Sequence, residues 1–154
     1  MQERLKDFSA APGAYRAMAA LEGYARESGL EHSLLHLVKT RASQLNGCGY
    51  CLDMHTKDAR AAGETEQRLY MLPAWAEAPI YTDRERAALA WTEAVTRLGP
   101  HGVPDAVYQQ ASAAFSAAEL INLTMALIAI NGWNRLSIAF RSPEPGSYTV
   151  GAHS

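Results

Sequence analysis

The stretch LVKTRASQLNGCGYCLDMHTKDARAAGE, residues 37–64, places the only two cysteines of the 154-residue chain between two helical patterns. Apolar residues recur at spacings of three and four before the cysteines, which predicts a helix over residues 33–45 with one buried stripe. Asn46 and the glycine after it interrupt that pattern. Because asparagine is a favourable N-cap, a second helix is predicted from residue 47 or 48 to residue 62.

Helical patterns also dominate the rest of the chain. There are 28 alanines against ten valines and isoleucines together, a composition that favours helix over strand. Ser116 and Glu119 have the spacing of a capping box ahead of an apolar helix that is predicted to end near Phe140. Further helices are predicted over residues 14–27, from Thr65 to Pro73, from Thr82 to Leu98 and from Pro104 to Phe115. The expected fold class is therefore all-α, a single-domain helical bundle over residues 1–154.

The carboxyl-terminal part of the chain carries three expectations. The apolar helix ending near Phe140 exceeds what a small monomer covers easily, so a homo-oligomer is expected. The polar residues within this helix, Asn131, Asn134 and Arg135, are expected to satisfy buried backbone groups or contacts between subunits. The tail PEPGSYTVGAHS, residues 143–154, is expected to be poorly ordered unless a partner holds it.

Composition excludes several classes of function. Charged residues make up 19% of the chain and the formal net charge is -2, so nothing indicates a nucleic acid or another polyanion as partner. The amino terminus is charged from its third residue and lacks the apolar segment of a secretory signal. The longest apolar run, residues 120–130, is too short and too polar for a membrane span. We therefore expect a soluble, cytoplasmic protein, in which two close cysteines favour metal binding or catalysis over a structural disulfide.

Cys48, Cys51 and His55 share one face of the predicted helix, because they are three and four residues apart. An imidazole at this distance can accept a thiol proton, and the positive end of a helix dipole stabilises a nearby thiolate. A thiolate beside a second cysteine suits two-electron oxidation, in which it attacks a peroxide or disulfide and the second thiol closes the ring. The helical background excludes the thioredoxin fold and leaves thioredoxin-like chemistry open.

Other interpretations of the cysteine pair have less support. A zinc site would need a fourth ligand beyond Cys48, Cys51 and His55, and the chain has no second CxxC pattern, so no metal is expected. Haem attachment requires CxxCH, whereas Leu52 follows Cys51. Two buried, unreactive cysteines stay open as an alternative on the spacing alone.

The run at residues 37–64 resembles the core motif of the alkylhydroperoxidase D-like branch of the carboxymuconolactone decarboxylase superfamily, and INGWNRLSIAFR, residues 130–141, resembles that branch's final helix. The resemblance implies an all-α fold that assembles into trimers or hexamers, and a peroxide-reducing activity without a bound cofactor. Carried over by position, Cys51 attacks the peroxide, Cys48 is the resolving thiol, and His55 belongs to the proton relay that activates Cys51. The resemblance also implies a dithiol reductant protein of the lipoylated or thioredoxin-like kind.

One position departs from the family pattern. Members of the branch commonly carry a glutamate twelve residues before the first cysteine, as the acid-base end of the relay, and here that position is His36. A histidine can shuttle protons near neutral pH, so His36 can serve in its place. Glu93 is the first candidate for another acid that has taken the role, and Glu31 is the second. The alternatives are a packed core histidine at position 36 and a solvated carboxylate at position 93.

The expected function is a cysteine-based antioxidant peroxidase of the alkyl hydroperoxide reductase and peroxiredoxin type. Cys48 would lie closer to the helix amino terminus, whereas His55 is placed for Cys51. We follow the histidine, because the helix dipole is worth typically under about 1 kcal/mol at exposed positions. The alternatives are a decarboxylase on the same scaffold and a non-catalytic helical assembly that senses redox state or binds metal.

Overall fold

The computed structural model describes residues 2–5 and 9–152, whose regular structure is helical. Seven α-helices follow one another in the described residues: α1 (Pro12–Arg26), α2 (His32–Asn46), α3 (Gly49–Ala61), α4 (Glu66–Met71), α5 (Asp83–Thr96), α6 (Asp105–Ala114) and α7 (Ala117–Phe140). A 3-10 turn, Leu72–Ala74, follows α4, and this part of the chain contains no β-strand. The predicted all-α fold is confirmed.

Side-chain caps fix where two of the later helices begin. The Glu85 N–H donates to Thr82 Oγ1 at 3.2 Å, and the Thr82 N–H donates to Glu85 Oε2 at 2.7 Å, which forms a capping box at the start of α5. Ser116 and Glu119 form the same reciprocal pair at the start of α7. The capping box predicted from the Ser116 and Glu119 spacing is therefore confirmed.

The main core lies where α7 packs against α1, α2 and α5. Its buried side chains include Leu34, Leu35, Val38, Ala88, Trp91, Leu123, Leu127 and Ile130. A second, smaller cluster consists of Leu37, Leu72, Ala78, Tyr81 and Leu89. Helix α2 contributes to both clusters, so neighbouring helices bury several of its polar side chains, among them Lys39, Thr40 and Ser43.

Helix α7, at 24 residues, is the longest helix in the described part of the chain, and the other described residues leave some of its apolar side chains uncovered. Ile121, Ile128 and Ile138 are exposed to 61%, 48% and 45%. Oligomerisation through this helix stays a prediction. No one helix among the described residues has both the length and the apolar composition to span a bilayer; α6 and α7 together meet those criteria, but across a bend of 117°.

The segment after α7 folds back onto α3. The Tyr148 hydroxyl lies 2.9 and 3.1 Å from the two carboxylate oxygens of Asp58. The Tyr148 N–H donates to Asp53 Oδ2 at 3.1 Å, and Lys57 Nζ donates to the Tyr148 carbonyl at 2.8 Å. Tyr148 thus ties the tail to α3, the poor order expected for residues 143–154 stays a prediction, and residues 153 and 154 lie outside the described residues.

Candidate active site

A two-residue turn, Gly47 and Cys48, joins α2 to α3 and brings both cysteines to the start of α3. Gly47 has a left-handed conformation with φ of 72°, which glycine adopts without the strain that a side chain would cause. The Gly47 N–H donates to the Gln44 carbonyl at 3.3 Å, and the Cys48 N–H donates to the Ser43 carbonyl at 3.0 Å. Backbone hydrogen bonds therefore close the end of α2 and fix the direction in which α3 leaves.

Cys48, and not Asn46, is the N-cap of α3. Its sulfur accepts a hydrogen bond from the Cys51 N–H at 3.4 Å. Asn46 is instead the last residue of α2, and its side-chain amide donates to Asn131 at 2.9 Å and to Asn134 at 2.8 Å, both on α7. The predicted start of the helix at residue 47 or 48 is therefore wrong by one or two residues, because Asn46 binds α7 rather than capping α3.

Cys48 and Cys51 form a disulfide across the first turn of α3. Their Cα atoms are 5.4 Å apart, within the usual range for a disulfide. Both residues are almost fully buried, with exposed fractions of 1% and 0%. Ser137 Oγ of α7 lies 3.9 Å from the Cys51 sulfur. Within residues 2–5 and 9–152, no three or more histidine, cysteine or carboxylate side chains are grouped so that they could hold a metal ion.

His55 lies one helical turn beyond Cys51 and is 6% exposed. In the described part of the chain, no group forms a hydrogen bond with its Nε2 atom. Burial lowers the pKa of His55 well below its usual value, and the positive charges of Lys39 and His36 act in the same direction. His55 is therefore neutral near neutral pH, which is the form that accepts a proton.

His36 lies on α2 and is partly buried. Burial lowers the pKa of His36, and the negative charge of Asp58 on α3 opposes that shift. The charge of His36 also lowers the pKa of His55 on α3, the helix against which α2 packs. A role for His36 in a proton relay stays a prediction.

The two carboxylates proposed from the sequence make their hydrogen bonds elsewhere. Glu93 on α5 accepts hydrogen bonds from Arg41 Nε at 2.9 Å and from Trp75 Nε1 at 2.7 Å. Glu31 is exposed and accepts from Arg84 at 2.9 and 3.2 Å, and this hydrogen bond lowers the pKa of Glu31. The hydrogen bonds of Glu93 thus connect α5 to α2 and Trp75, and a catalytic role for either carboxylate stays a prediction.

A buried ion pair near His55 was not predicted from the sequence. Lys39 on α2 is only 6% exposed and forms an ion pair with Glu22 on α1. The apolar spacing of α2 alone places Lys39 beside the buried stripe rather than in it. The available signal is its position three residues after His36, which puts both residues on one helix face.

The carboxyl-terminal segment lies over the first turn of α3. Pro145 contacts Gly49, the residue after Cys48, so closely that a Cβ atom at Gly49 would lie 3.2 Å from the proline ring. The rings of Tyr148 and Tyr50 meet edge to face, with centroids 6.2 Å apart. Burial of the Tyr148 hydroxyl and its hydrogen bond to Asp58 raise the pKa of Tyr148 to about 12. The tyrosine is therefore a neutral donor at physiological pH.

A sequence model of the carboxymuconolactone decarboxylase family matches residues 12–94, which is more than half of the chain. The chain belongs to this family. The matched residues run from α1 into α5 and include the whole α2–α3 hairpin with its cysteine pair. The predicted membership in the carboxymuconolactone decarboxylase superfamily is confirmed.

Two uncharacterized proteins are relatives at the level of sequence. The chain is 40% identical over 139 residues to the uncharacterized protein YdfG of Bacillus subtilis (strain 168), and the match covers 90% of this chain and 95% of YdfG. It is 30% identical over 117 residues to the uncharacterized protein YnjA of Escherichia coli (strain K12), covering 76% of this chain and 62% of YnjA.

Solved structures of similar proteins support the same assignment within the family. The crystal structure of ATU0492 from Agrobacterium tumefaciens has a TM-score of 0.89 and 44% sequence identity, and covers 94% of this chain and 99% of ATU0492. ATU0492 is a protein of unknown function for which a role as the antioxidant defence protein AhpD has been suggested, and this likeness supports the predicted AhpD-like branch. The debrominase Bmp8, at 18% identity and a TM-score of 0.78 over 87% of this chain and 72% of Bmp8, shares the fold.

Proposed function

We propose that this protein is a cysteine-based antioxidant peroxidase that reduces hydroperoxides through Cys48 and Cys51. The observation that carries the proposal is the disulfide across the first turn of α3, with the buried and neutral His55 one turn further along. The likeness to ATU0492 supports the same class of function. The reaction needs no bound cofactor, because the two sulfur atoms carry both electrons.

The cycle begins with both cysteines reduced and proceeds by balanced steps. His55 accepts the Cys51 proton, and the thiolate attacks one oxygen of the hydroperoxide ROOH. The O–O bond breaks, Cys51 becomes a sulfenic acid, and the departing alkoxide takes the proton from His55 to form the alcohol ROH. The Cys48 thiol then attacks the sulfenic sulfur, which releases water and forms the disulfide.

The assignment of Cys51 as the attacking thiol rests on its spacing from His55, which is four residues. His55 follows Cys51 by one helical turn on the same face, which suits proton transfer between them. Cys48 caps α3 and therefore lies at the positive end of the helix dipole. That position suits a resolving thiol, because the dipole favours its thiolate when it attacks the oxidised Cys51.

Turnover requires a dithiol reductant, which we propose is a lipoylated or thioredoxin-like protein of the cytoplasm. The partner's two thiols reduce the disulfide of Cys48 and Cys51 and leave as a disulfide themselves. Because both cysteines are buried, the reductant reaches them only when a covering element moves. One such element is the segment that holds Pro145 and Tyr148, which lies over the first turn of α3.

We also propose that the protein is a homo-oligomer, a trimer or a hexamer. The exposed isoleucines of α7, Ile121, Ile128 and Ile138, form an apolar side that a second copy would cover. Light scattering coupled to size-exclusion chromatography measures the mass directly. A monomer at micromolar concentration would contradict this proposal and leave the peroxidase proposal standing.

The test of the peroxidase proposal is stopped-flow peroxide consumption with dihydrolipoamide or reduced thioredoxin as donor. The wild type is expected to turn over, whereas Cys51→Ser is expected to fall to the uncatalysed rate because it lacks the attacking thiol. Cys48→Ser is expected to lose turnover and to keep a trappable sulfenic acid on Cys51. A sulfenic acid found only on Cys48, in the Cys51→Ser variant, would reverse the two roles. Equal rates in all three proteins would contradict the proposal.

The enclosure of the disulfide favours a second candidate function, a redox sensor without turnover. A disulfide with exposed fractions of 1% and 0% reacts slowly with a bulky reductant, and slow re-reduction is what a sensor requires. Peroxide oxidation that stops after one equivalent, whatever dithiol is supplied, would support the sensor over the peroxidase.

A further inference from the structure

A buried ion pair between α1 and α2 lies beside the candidate active site. Lys39 has 7% of its side chain exposed and pairs with Glu22, whose side chain is 32% exposed. Lysine is among the residues least often buried, and a buried ammonium is tolerated only when a partner compensates its charge. The carboxylate of Glu22 provides that compensation from the neighbouring helix.

The α2–α3 hairpin brings Lys39 to the level of His55. Lys39 lies seven residues before the end of α2, and His55 lies six residues after the start of α3. At about 1.5 Å per residue, both lie roughly 10 Å from the turn at Gly47. The two helices pack along each other, so these two buried side chains occur at corresponding heights of the hairpin.

The charged and titratable groups that act on His55 come from the helix packed against α3. Lys39 and His36 of α2 both lower the pKa of His55, and Glu22 of α1 holds Lys39. His36 in turn is acted on by Asp58, Lys39, His32 and Glu64. In the described part of the chain, no carboxylate forms a hydrogen bond with His55 Nε2, and among the charged groups Lys39 has the largest effect on the pKa of His55.

We propose that Lys39, held in place by Glu22, is a positioning residue that controls proton transfer by His55. The inference rests on the proposed function, because the proton in question is the one that His55 takes from Cys51. The positive charge of Lys39 opposes a second positive charge on the imidazole. It therefore keeps His55 neutral before the reaction and promotes release of the proton to the alkoxide once the O–O bond has broken.

The Glu22–Lys39 pair also concerns position 36 of α2, where members of the branch commonly carry a glutamate and this chain has His36. A carboxylate at position 36 would act on the imidazole directly, whereas His36 has no negative charge to offer. In this chain the carboxylate comes from Glu22 on α1 and acts through Lys39. The Glu22 side chain is about one-third exposed, so the pair extends from the interior beside α3 to the surface of α1.

The first test is an NMR titration of the His55 imidazole in the oxidised protein, in which the disulfide removes the cysteines from the titration. A unit charge within about 10 Å at an effective dielectric constant of ~20 shifts a pKa by roughly one unit. The pKa of His55 is therefore expected to rise by about one unit in Lys39→Met and to stay unchanged in Lys39→Arg. Lys57→Met is the matched control, since it removes a lysine two residues from His55 in sequence that does not act on its pKa.

An unchanged His55 pKa in Lys39→Met, or an equal rise in Lys57→Met, would overturn the inference. If Lys39→Met fails to fold because Glu22 loses its partner, the double variant Lys39→Met with Glu22→Gln removes both charges, and a smaller rise of the same sign is expected, because the lost negative charge of Glu22 offsets part of the effect. This titration needs no turnover, so it reports on Lys39 even if the peroxidase proposal fails.

The second test measures the pH dependence of Cys51 oxidation by hydroperoxide in a single turnover. The acid limb of the rate profile is expected to move to higher pH in Lys39→Met by the shift found for His55, and to return in Lys39→Arg. A profile that stays fixed while the His55 pKa moves would overturn the catalytic part of the inference. Absence of any reaction in the wild type would instead contradict the proposed function.

Discussion

Polar groups lie on two sides of helix α2, toward α5 and toward α3. The hydrogen bonds of these two groups are satisfied to different degrees. Toward α5, Arg41 binds Glu93, which also accepts from Trp75, so each charge in this group has an opposite charge or a donor. Toward α3, the Nε2 atom of His55 has no hydrogen-bond partner in the described part of the chain, and Lys39 holds a positive charge near it. Polar groups whose hydrogen bonds are all formed stabilise a fold. A buried ionisable group that lacks a hydrogen-bond partner and has a shifted pKa is instead a candidate for a functional site.

The largest effect on activity is expected at His55, on the side of α2 that packs against α3. His55→Gln keeps a polar side chain of similar size but cannot act as the proton acceptor for Cys51. General base catalysis contributes typically about 10²- to 10⁴-fold, so the rate of Cys51 oxidation is expected to fall by that factor. Single-turnover kinetics measure it, with the exposed His101→Gln as control. A His55→Gln rate within threefold of the wild type would show that α3 provides no base.

The same variant tests how stability depends on pH. Because the pKa of His55 is lowered on folding, the unfolded chain binds more protons than the folded chain as pH falls below its usual value of 6.5. Stability is therefore present at neutral pH and lost on acidification. The loss of unfolding free energy between about pH 7 and about pH 5 is expected to be smaller in His55→Gln than in the wild type. His36, whose pKa is lowered as well, retains part of the effect.

An intermediate effect is expected at the cover of the site. Tyr148→Ala removes the hydrogen bond to Asp58 and the ring contact with Tyr50, so the segment after α7 should leave α3 more often. Reduction of the disulfide by a small dithiol is expected to become about tenfold faster, which corresponds to roughly 1.4 kcal/mol of opening free energy. Tyr70→Ala, at a tyrosine that is 73% exposed, is the control. Equal rates for both variants would mean that reductants reach the pair by another route.

The smallest effect on activity is expected at Glu93, on the side of α2 that packs against α5. Glu93→Gln weakens the contacts with Arg41 and Trp75, which is expected to lower the unfolding free energy by about 1–3 kcal/mol and to change turnover less than about threefold. Urea unfolding and peroxide consumption measure the two quantities, with the exposed Glu77→Gln as control. A fall in turnover of a hundredfold with normal stability would restore Glu93 to the proton relay that the sequence suggests.

The features that sequence predicted well depend on neighbours within a few residues. The helix start at Thr82, the capping box at Ser116 and the break at Gly47 belong to this class, because each is decided within one helical turn. The face that Cys48, Cys51 and His55 are predicted to share depends on spacing that is equally local. The family motif added the chemistry, since spacing alone left an inert pair of cysteines open.

The features that sequence missed depend on partners far along the chain. The sequence predicts Asn46 as an N-cap, yet its side chain binds Asn131 and Asn134 on α7, 85 and 88 residues away. Tyr148 sits in a segment with few apolar residues, but Asp58, 90 residues earlier, binds its hydroxyl. The burial of Lys39 depends on Glu22 on another helix, and the apolar spacing of α2 does not predict it.

The sulfur of Cys48 has two functions at once, since it is half of the disulfide and also the acceptor that caps α3. Any change in the oxidation state of that sulfur is therefore a change at a backbone hydrogen bond. A thiolate accepts the Cys51 N–H more strongly than a disulfide sulfur does, so reduction and oxidation alter how tightly this amide proton is held. The exchange rate of the Cys51 amide hydrogen with deuterated solvent thus reports the redox state of the pair from within the protein.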